Sequence, residues 1–236
     1  MAPAWITGFA FTFIGVGIGG LIAFLMNGSP GRTGTVYGVC TGAILGMIGF
    51  DILPEVLRSG GAPIVSAGFL AGVILFWFIH QIGFLQTYPS RLTKVRPGLL
   101  LILAFAVHNF PIGLMMGTGG PADLDSSLVK TLVLHNVPEG MILFMPLFAG
   151  GMTIVRMFAI SLLIAFPVAA GAAAGEILGL QSDRLSAFLI SLSVGMIYRI
   201  AVKEILPEAV RHSSNLYSLF VAVVSFLLMG LYLLSL

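Results

Sequence analysis

Two six-residue motifs combine ligand-type side chains within an otherwise apolar sequence. HNFPIG occupies residues 108–113 and HNVPEG occupies residues 135–140, so the copies start 27 residues apart and differ at two of six positions. In the second copy His135 and Glu139 are four residues apart, which puts them on one face of a helix. Each proline lacks an N–H and frees the backbone carbonyl four residues earlier. Both motifs therefore offer an imidazole, an amide and a distorted helical backbone.

The spacing of the motifs predicts that their histidines lie level with each other. Ala122 is near the centre of the polar segment GTGGPADLDSS, with His108 14 residues before it and His135 13 residues after it. At 1.5 Å per residue, each histidine lies about 20 Å along its helix from this turn. Imidazole nitrogens together with a carboxylate suit Zn²⁺ and similar first-row divalent ions better than Mg²⁺ or Ca²⁺. We therefore expect a metal site between two antiparallel helices.

The composition indicates that these helices lie in a membrane. Hydrophobic residues make up 58% of the 236-residue chain and charged residues 8%, whereas about 25% charged residues is usual in soluble domains. The net charge of +2 is too small to favour nucleic acid as a partner. A single cysteine, Cys40, excludes an internal disulfide. No basic segment precedes the first apolar run, so we interpret that run as a retained transmembrane helix rather than a cleavable signal.

Hydrophobic length predicts an all-α integral membrane protein with eight transmembrane helices, since one crossing needs about 20 apolar residues. The predicted spans are 5–26, 35–57, 63–87, 98–117, 128–149, 157–179, 185–207 and 214–236. The basic residues of the connections after the odd-numbered spans are Arg32, Arg91, Lys94, Arg96, Arg156 and Arg211. Those of the remaining connections are Arg58, Lys130 and Arg184. The basic excess marks the cytoplasmic side, which places both termini outside the cytoplasm.

A second pair of related segments predicts an inverted repeat. Span two ends in GMIGFDILPEVL and span seven ends in GMIYRIAVKEILPEAV, and in the proposed orientation these ends lie at opposite faces. Inverted repeats are common in secondary transporters, where the substrate site lies near the membrane midplane. We expect one transporter domain over residues 1–236 in a 3+2+3 arrangement. Its parts are a first repeat over about 5–87, a central hairpin over about 98–149 and a second repeat over about 157–236.

At these residues the sequence resembles the ZIP (Zrt-, Irt-like protein) family of divalent metal transporters, in particular its bacterial zinc-uptake branch. The family has HNFPEG in its fourth span and HN[IV]PEG in its fifth, and this chain has HNFPIG and HNVPEG. The resemblance implies passage of Zn²⁺, with Fe²⁺, Mn²⁺ and Cd²⁺ as further candidates, across the plasma membrane into the cytoplasm. It also implies elevator-like movement of one helix bundle against another, a homodimer, and no enzymatic activity or cofactor. The metal ligands that it implies are His108, Asn109, His135, Asn136 and Glu139, with the Met47 thioether as a further candidate.

The chain departs from the family pattern at two expected carboxylates. Ile112 stands where the fourth-span glutamate is expected, and Phe166 stands before Pro167 where a sixth-span glutamate is expected. We therefore expect a single metal site. The same departures keep open an alternative, a transport-impaired relative that senses metal or acts as a scaffold. An intramembrane metalloenzyme is a weaker alternative, because such zinc sites use H-E-x-x-H and both histidines here precede asparagine.

Three further groups of polar residues each allow a purely structural explanation as well as a functional one. Asp51 and Glu55 form a stripe near the outer end of span two, which could capture incoming metal or lie at a solvated helix end. Glu204 and Glu208 at the inner end of span seven could likewise contact metal or lie at a solvated helix end. Nearby Lys203 and Arg211 favour ion pairing. His80 lies in an aromatic helix, where packing is the expected role.

Overall fold

The computed structural model describes residues 3–26, 30–81, 96–118, 126–179 and 182–235, and its regular structure over these ranges is helical. Arg91, Lys94 and the turn near Ala122 lie outside the described residues, as do the two ends of the chain. The orientation predicted from the connecting segments therefore stays a prediction. The described helices are α1 Ala4–Met26, α2 Pro30–Met47, α3 Leu53–Gln81, α4 Arg96–Gly117, α5 Ser126–Ala149, α6 Ile154–Leu178, α7 Asp183–Ile200, α8 Leu206–Arg211 and α9 Asn215–Leu234.

Several of these helices have the length and apolar composition of membrane spans. Five described stretches qualify: Ala4–Met26, Arg32–Gln81, Ile154–Leu178, Asp183–Arg211 and Asn215–Leu234. Leu101–Gly117 and Val133–Ala149 are shorter and also apolar. These helices confirm the all-α class and support a multi-pass membrane protein. The number of eight spans stays a prediction.

The longest stretch contains a backbone break that divides it. Arg32–Gln81 has 50 residues, which would extend about 75 Å as one straight helix, far more than the roughly 30 Å hydrocarbon core. Gly61 interrupts the helical geometry with φ 74° and ψ 159°, a left-handed φ that glycine adopts without steric cost. Pro63 follows two residues later. The break coincides with the boundary predicted between the second and third spans.

A π-helical segment precedes each Leu-Pro-Glu sequence. The first covers Ile48–Ile52 and the second covers Ala201–Ile205. In each, the N–H of the following leucine donates to a carbonyl five residues earlier instead of four. The proline next in sequence, Pro54 or Pro207, donates no N–H, and its ring would clash with the carbonyl four residues back in a regular helix. A widened turn accommodates that proline, and π segments of this kind are frequent at functional sites.

The helices pack in two groups. The first helix group consists of α1, α4, α5 and α6, joined through the pairs α1–α5, α4–α6 and α1–α6. The second helix group consists of α2, α3, α7, α8 and α9, joined mainly through α2–α9 and α3–α7. The principal contacts between the groups are α4–α7 and α2–α5. The boundary between the two groups therefore runs past the helices that carry both histidine motifs.

Glycines allow close backbone approach within both groups. A Cβ on Gly19 of α1 would collide with the backbone of α5, and one on Gly117 of α4 would collide with the backbone of α6. In the second group, Gly42 of α2 meets the backbone of α9 in this way and Gly72 of α3 meets that of α7. Helix pairs in lipid associate through such small residues, since burial of apolar side chains gives little driving force there. Glycine positions therefore fix which helices pair.

Candidate metal site

A cavity lies at the boundary between the two helix groups. Its volume is about 50 Å³, enough for several water-sized occupants, since one needs roughly 10–15 Å³. The lining comes from α2 with its π segment, α4, α5 and α7 and is mostly aliphatic. The lining residues are Ile44, Met47, Ile48, Ile52, His108, Ile112, His135, Glu139, Ile190, Ser193, Val194 and Ile197. A small set of polar and sulfur-bearing side chains is thus held inside an apolar shell.

His108 and Glu139 are in close contact within this cavity. The Nε2 atom of His108 lies 3.3 Å from Oε1 of Glu139, and the two residues are 3% and 2% exposed. Among the described residues, Oε2 of Glu139 has no hydrogen-bond partner. A buried carboxylate is costly unless it is paired or coordinates a cation. This carboxyl group therefore retains an unused acceptor where an ion could lie.

The orientation of the His108 ring is set by α7. Nδ1 of His108 is 3.1 Å from the carbonyl oxygen of Ser193. A carbonyl accepts and never donates, so Nδ1 carries the hydrogen of this bond. Nε2 is then the nitrogen that faces the cavity and can offer a lone pair. In metal sites, a second-shell carbonyl commonly fixes the histidine tautomer in this way.

His135 and Met47 line the same cavity from α5 and α2. The structure thus brings four of the predicted site residues to one place, with Met47 2% exposed. Within the described ranges, however, no three histidine, cysteine, aspartate or glutamate side chains are grouped closely enough to hold a metal ion. The arrangement is a close histidine–carboxylate pair with a second histidine and a thioether on the same cavity wall, and not a preassembled three-ligand site.

The two predicted asparagines point elsewhere. The Asn109 amide donates to the Ile164 carbonyl of α6 at 3.1 Å. Asn136 is fully buried, and its Cβ packs against Gly15 of α1. Neither asparagine is part of the cavity lining, because each follows its histidine by one residue and so lies about 100° further round the helix. The Asn109 bond links α4 to α6 within the first helix group, and the role of both asparagines as metal ligands stays a prediction.

The two positions where the family has glutamate differ in their surroundings. Ile112 lines the cavity, one turn from His108. Phe166 is 63% exposed and is not part of the lining. A carboxylate at position 112 would therefore face the cavity, whereas a side chain at position 166 faces away from it. Ile112 is the departure that bears on the chemistry of this cavity.

The remaining polar candidates lie on α3, on α8 and on the two π segments. Glu208 pairs with Arg211 at 2.6 Å, as the sequence suggested. Glu204 lies 3.5 Å from Nε2 of His80, so His80 has a charged neighbour that its aromatic surroundings did not predict. The two residues are 124 apart in sequence, and no local pattern connects them. Asp51 is close enough to His135 for an electrostatic interaction.

Sequence reasoning also missed one polar residue of the cavity lining, Ser193. This serine is 2% exposed and exchanges hydrogen bonds with His108 across 85 residues of sequence. Its immediate sequence, SLSVGM, carries no motif. A polar residue within an apolar helix is the signal that the sequence offers, and Ser191 on the same helix shares it.

Comparison with known proteins gives a consistent assignment. A family model described as "ZIP Zinc transporter" matches residues 84–236. The protein named "Putative zinc transporter At3g08650" from Arabidopsis thaliana is 25% identical over 84% of this chain and 33% of its own length. Zinc transporter ZupT from Chlorobium limicola is 29% identical over 43% of this chain and 47% of its own length. Human zinc transporter ZIP10 is 26% identical over 46% of this chain and 13% of its own length. The chain thus spans about half or less of the length of these relatives, which are transporters and not enzymes.

Proposed function

Because this chain belongs to the ZIP zinc transporter family, we propose that it carries divalent transition-metal ions across a membrane into the cytoplasm. Zn²⁺ is the first candidate, since the relatives are named as zinc transporters. Fe²⁺, Mn²⁺ and Cd²⁺ are further candidates, because imidazole suits Fe²⁺, a carboxylate suits Mn²⁺ and a thioether suits the soft Cd²⁺. The metal is the substrate in this proposal, and the chain binds and releases it without chemical change.

One observation carries the proposal: the 3.3 Å approach of His108 Nε2 to Glu139 Oε1 in a buried cavity. With Nδ1 of His108 donating to Ser193, Nε2 and the carboxylate would meet as two lone-pair acceptors. Two such groups repel each other in an apolar site unless a cation lies between them. We propose that the transported divalent ion takes this place. His135 and Met47 then complete the ligand set from the same cavity.

The proposed site holds one metal ion. The described lining contains one carboxylate, Glu139, and Ile112 lies where a second would face the cavity. A dication with neutral imidazoles and one carboxylate keeps a net charge of +1 in an apolar shell. That charge weakens binding relative to a two-carboxylate site and favours release of the ion. Asn109 also holds α6 in place, and Asn109 and Asn136 stay candidate ligands of this ion.

The packing of the helices supports the proposed 3+2+3 arrangement. Exchanging α1 with α6 and α4 with α5 turns the α1–α5 pair into α6–α4, and both pairs are extensive. The pairs α2–α9 and α3–α7 are related in the same manner, and each repeat carries a π segment before Leu-Pro-Glu. We infer eight spans in one domain, with both termini extracytoplasmic in the plasma membrane. Movement of the first helix group against the second would expose the cavity to each side in turn.

Reconstitution of the full chain in liposomes tests the transport function. Vesicles loaded with a zinc-sensitive dye should show saturable zinc influx that depends on the protein. The alternative of a metal sensor is favoured by Ile112 in the cavity, since the site lacks a second carboxylate. Zinc binding without influx would support that alternative, and absence of both would refute the assignment of the site. Mass measurement of the purified protein in detergent tests the homodimer that the resemblance implies.

A further inference from the structure

A reciprocal pair of hydrogen bonds joins the two helix groups at the cavity. Nδ1 of His108 on α4 donates to the Ser193 carbonyl on α7 at 3.1 Å. In return, Oγ of Ser193 donates to the His108 carbonyl at 2.9 Å. The two residues are 3% and 2% exposed, so both bonds are buried. We propose that Ser193 is a positioning residue that aligns His108 and makes the metal affinity of the cavity depend on the alignment of the helix groups.

The two hydrogen bonds fix both the tautomer and the position of His108. The Ser193 carbonyl selects the tautomer with hydrogen on Nδ1 and leaves Nε2 facing Glu139. The Ser193 hydroxyl binds the backbone of His108 itself, which fixes the height of α7 relative to that residue. Both bonds come from one residue of the opposite helix group. The donor atom of the cavity is therefore oriented by an element outside the group that carries it.

A displacement of α7 relative to α4 would break both hydrogen bonds. A slide of α7 along α4 by about 2 Å would lengthen the 3.1 Å contact to about 3.7 Å, which is outside hydrogen-bond range. The hydroxyl bond would be lost with it, because both bonds link the same two residues. His108 could then rotate or change tautomer, and Nε2 would no longer be held toward Glu139. A metal ion bound in the aligned arrangement would be held less tightly after the slide.

The weaker binding after the slide matters only if the proposed function is correct, because it makes release of the ion part of the transport movement. A ligand that binds one arrangement more tightly must also favour that arrangement by the same factor. The serine therefore couples occupancy of the cavity to the position of the two helix groups. Asn109 holds α6 within the first group and would have no such effect.

Two serines of α7 provide a matched test. Ser193→Ala removes the hydroxyl bond to His108 but leaves the Ser193 backbone in place. Ser191→Ala is the control, since Ser191 is equally buried and its hydroxyl has no hydrogen-bond partner among the described residues. Ser193→Thr retains the hydroxyl and is the conservative variant. The full-length chain with ¹⁵N-labelled histidine reports the His108 tautomer without metal, and chelator competition reports the zinc Kd.

The expected results separate positioning from general damage. Ser193→Ala keeps the carbonyl that accepts from Nδ1, but without the hydroxyl bond α7 is no longer held at one height and that contact loosens. The variant should therefore give a mixture of His108 tautomers and raise the zinc Kd about fivefold, the size expected for loss of one buried hydrogen bond. Ser193→Thr should restore both readouts, and Ser191→Ala should change neither. The proposal is overturned if Ser193→Ala keeps one tautomer and the wild-type Kd, or if Ser191→Ala has the same effect. If the wild type binds no zinc, the proposed function fails, while the tautomer comparison still upholds or overturns the positioning role.

Discussion

Substitution of Glu139 by glutamine tests the proposed site with little change of shape. Glutamine keeps the volume of the side chain and removes its negative charge. Its amide can donate to Nε2 of His108 across the 3.3 Å gap that now separates this atom from Oε1. That bond would replace the present contact between His108 and Glu139, so we expect the helix packing to survive. The melting temperature should change by less than about 4 °C, which corresponds to roughly 1 kcal/mol for a chain of this size.

The loss of zinc affinity should be much larger. Two unit charges 4 Å apart attract by about 4 kcal/mol at an effective dielectric constant of 20, and a dication doubles this to about 8 kcal/mol. Desolvation of both ions offsets more than half of that attraction. A residual of about 3 kcal/mol corresponds to roughly two orders of magnitude in Kd. At micromolar zinc, influx through Glu139→Gln should therefore be close to background.

Zinc influx into dye-loaded liposomes and chelator competition in detergent measure these two quantities. Glu176→Gln is a suitable control, since Glu176 is an exposed carboxylate near the end of α6. It should behave as the wild type in both assays. Normal influx by Glu139→Gln, with the control also normal, would show that the buried carboxylate does not bind the transported ion. A large loss of melting temperature would instead refute the argument that glutamine replaces the contact to His108.

Three other substitutions test the remaining parts of the site. His135→Ala removes the second imidazole and should abolish zinc influx with the fold intact by circular dichroism; normal uptake would remove His135 from the ligand set. Ile112→Glu adds a carboxylate to the cavity lining and should lower the zinc Kd at least tenfold, and an unchanged Kd would mean that this side chain turns away from the ion. Asn109→Ala deletes the bond to the Ile164 carbonyl and should destabilise the protein by about 1–3 kcal/mol in thermal unfolding. Its zinc Kd should rise less than that of Glu139→Gln, whereas an equal rise would favour Asn109 as a direct ligand.

Much of the fold follows from the sequence because membrane helices are specified by local composition. Apolar length predicted α1, α6 and α9 nearly to their observed ends, since backbone groups in lipid must be satisfied within the segment itself. The boundary that apolar length predicts after the second span coincides with the break at Gly61. The π segments were not predicted, although the repeated Leu-Pro-Glu sequence marked the place where each ends. Proline identifies a distortion in the sequence, but its form depends on how the neighbouring turns relax.

The sequence by itself determined which donor side chains share a helix face and a depth. The fixed rise of the helix carried His108, His135 and Glu139 to one cavity. Tertiary structure alone decided which way each helix is rotated toward its neighbours. It turned Asn109 toward α6 and brought Ser193 from 85 residues away to orient His108. Periodicity fixes angles within one helix, whereas contacts between helices depend on small residues that choose the partners and on hydrogen bonds that set their height.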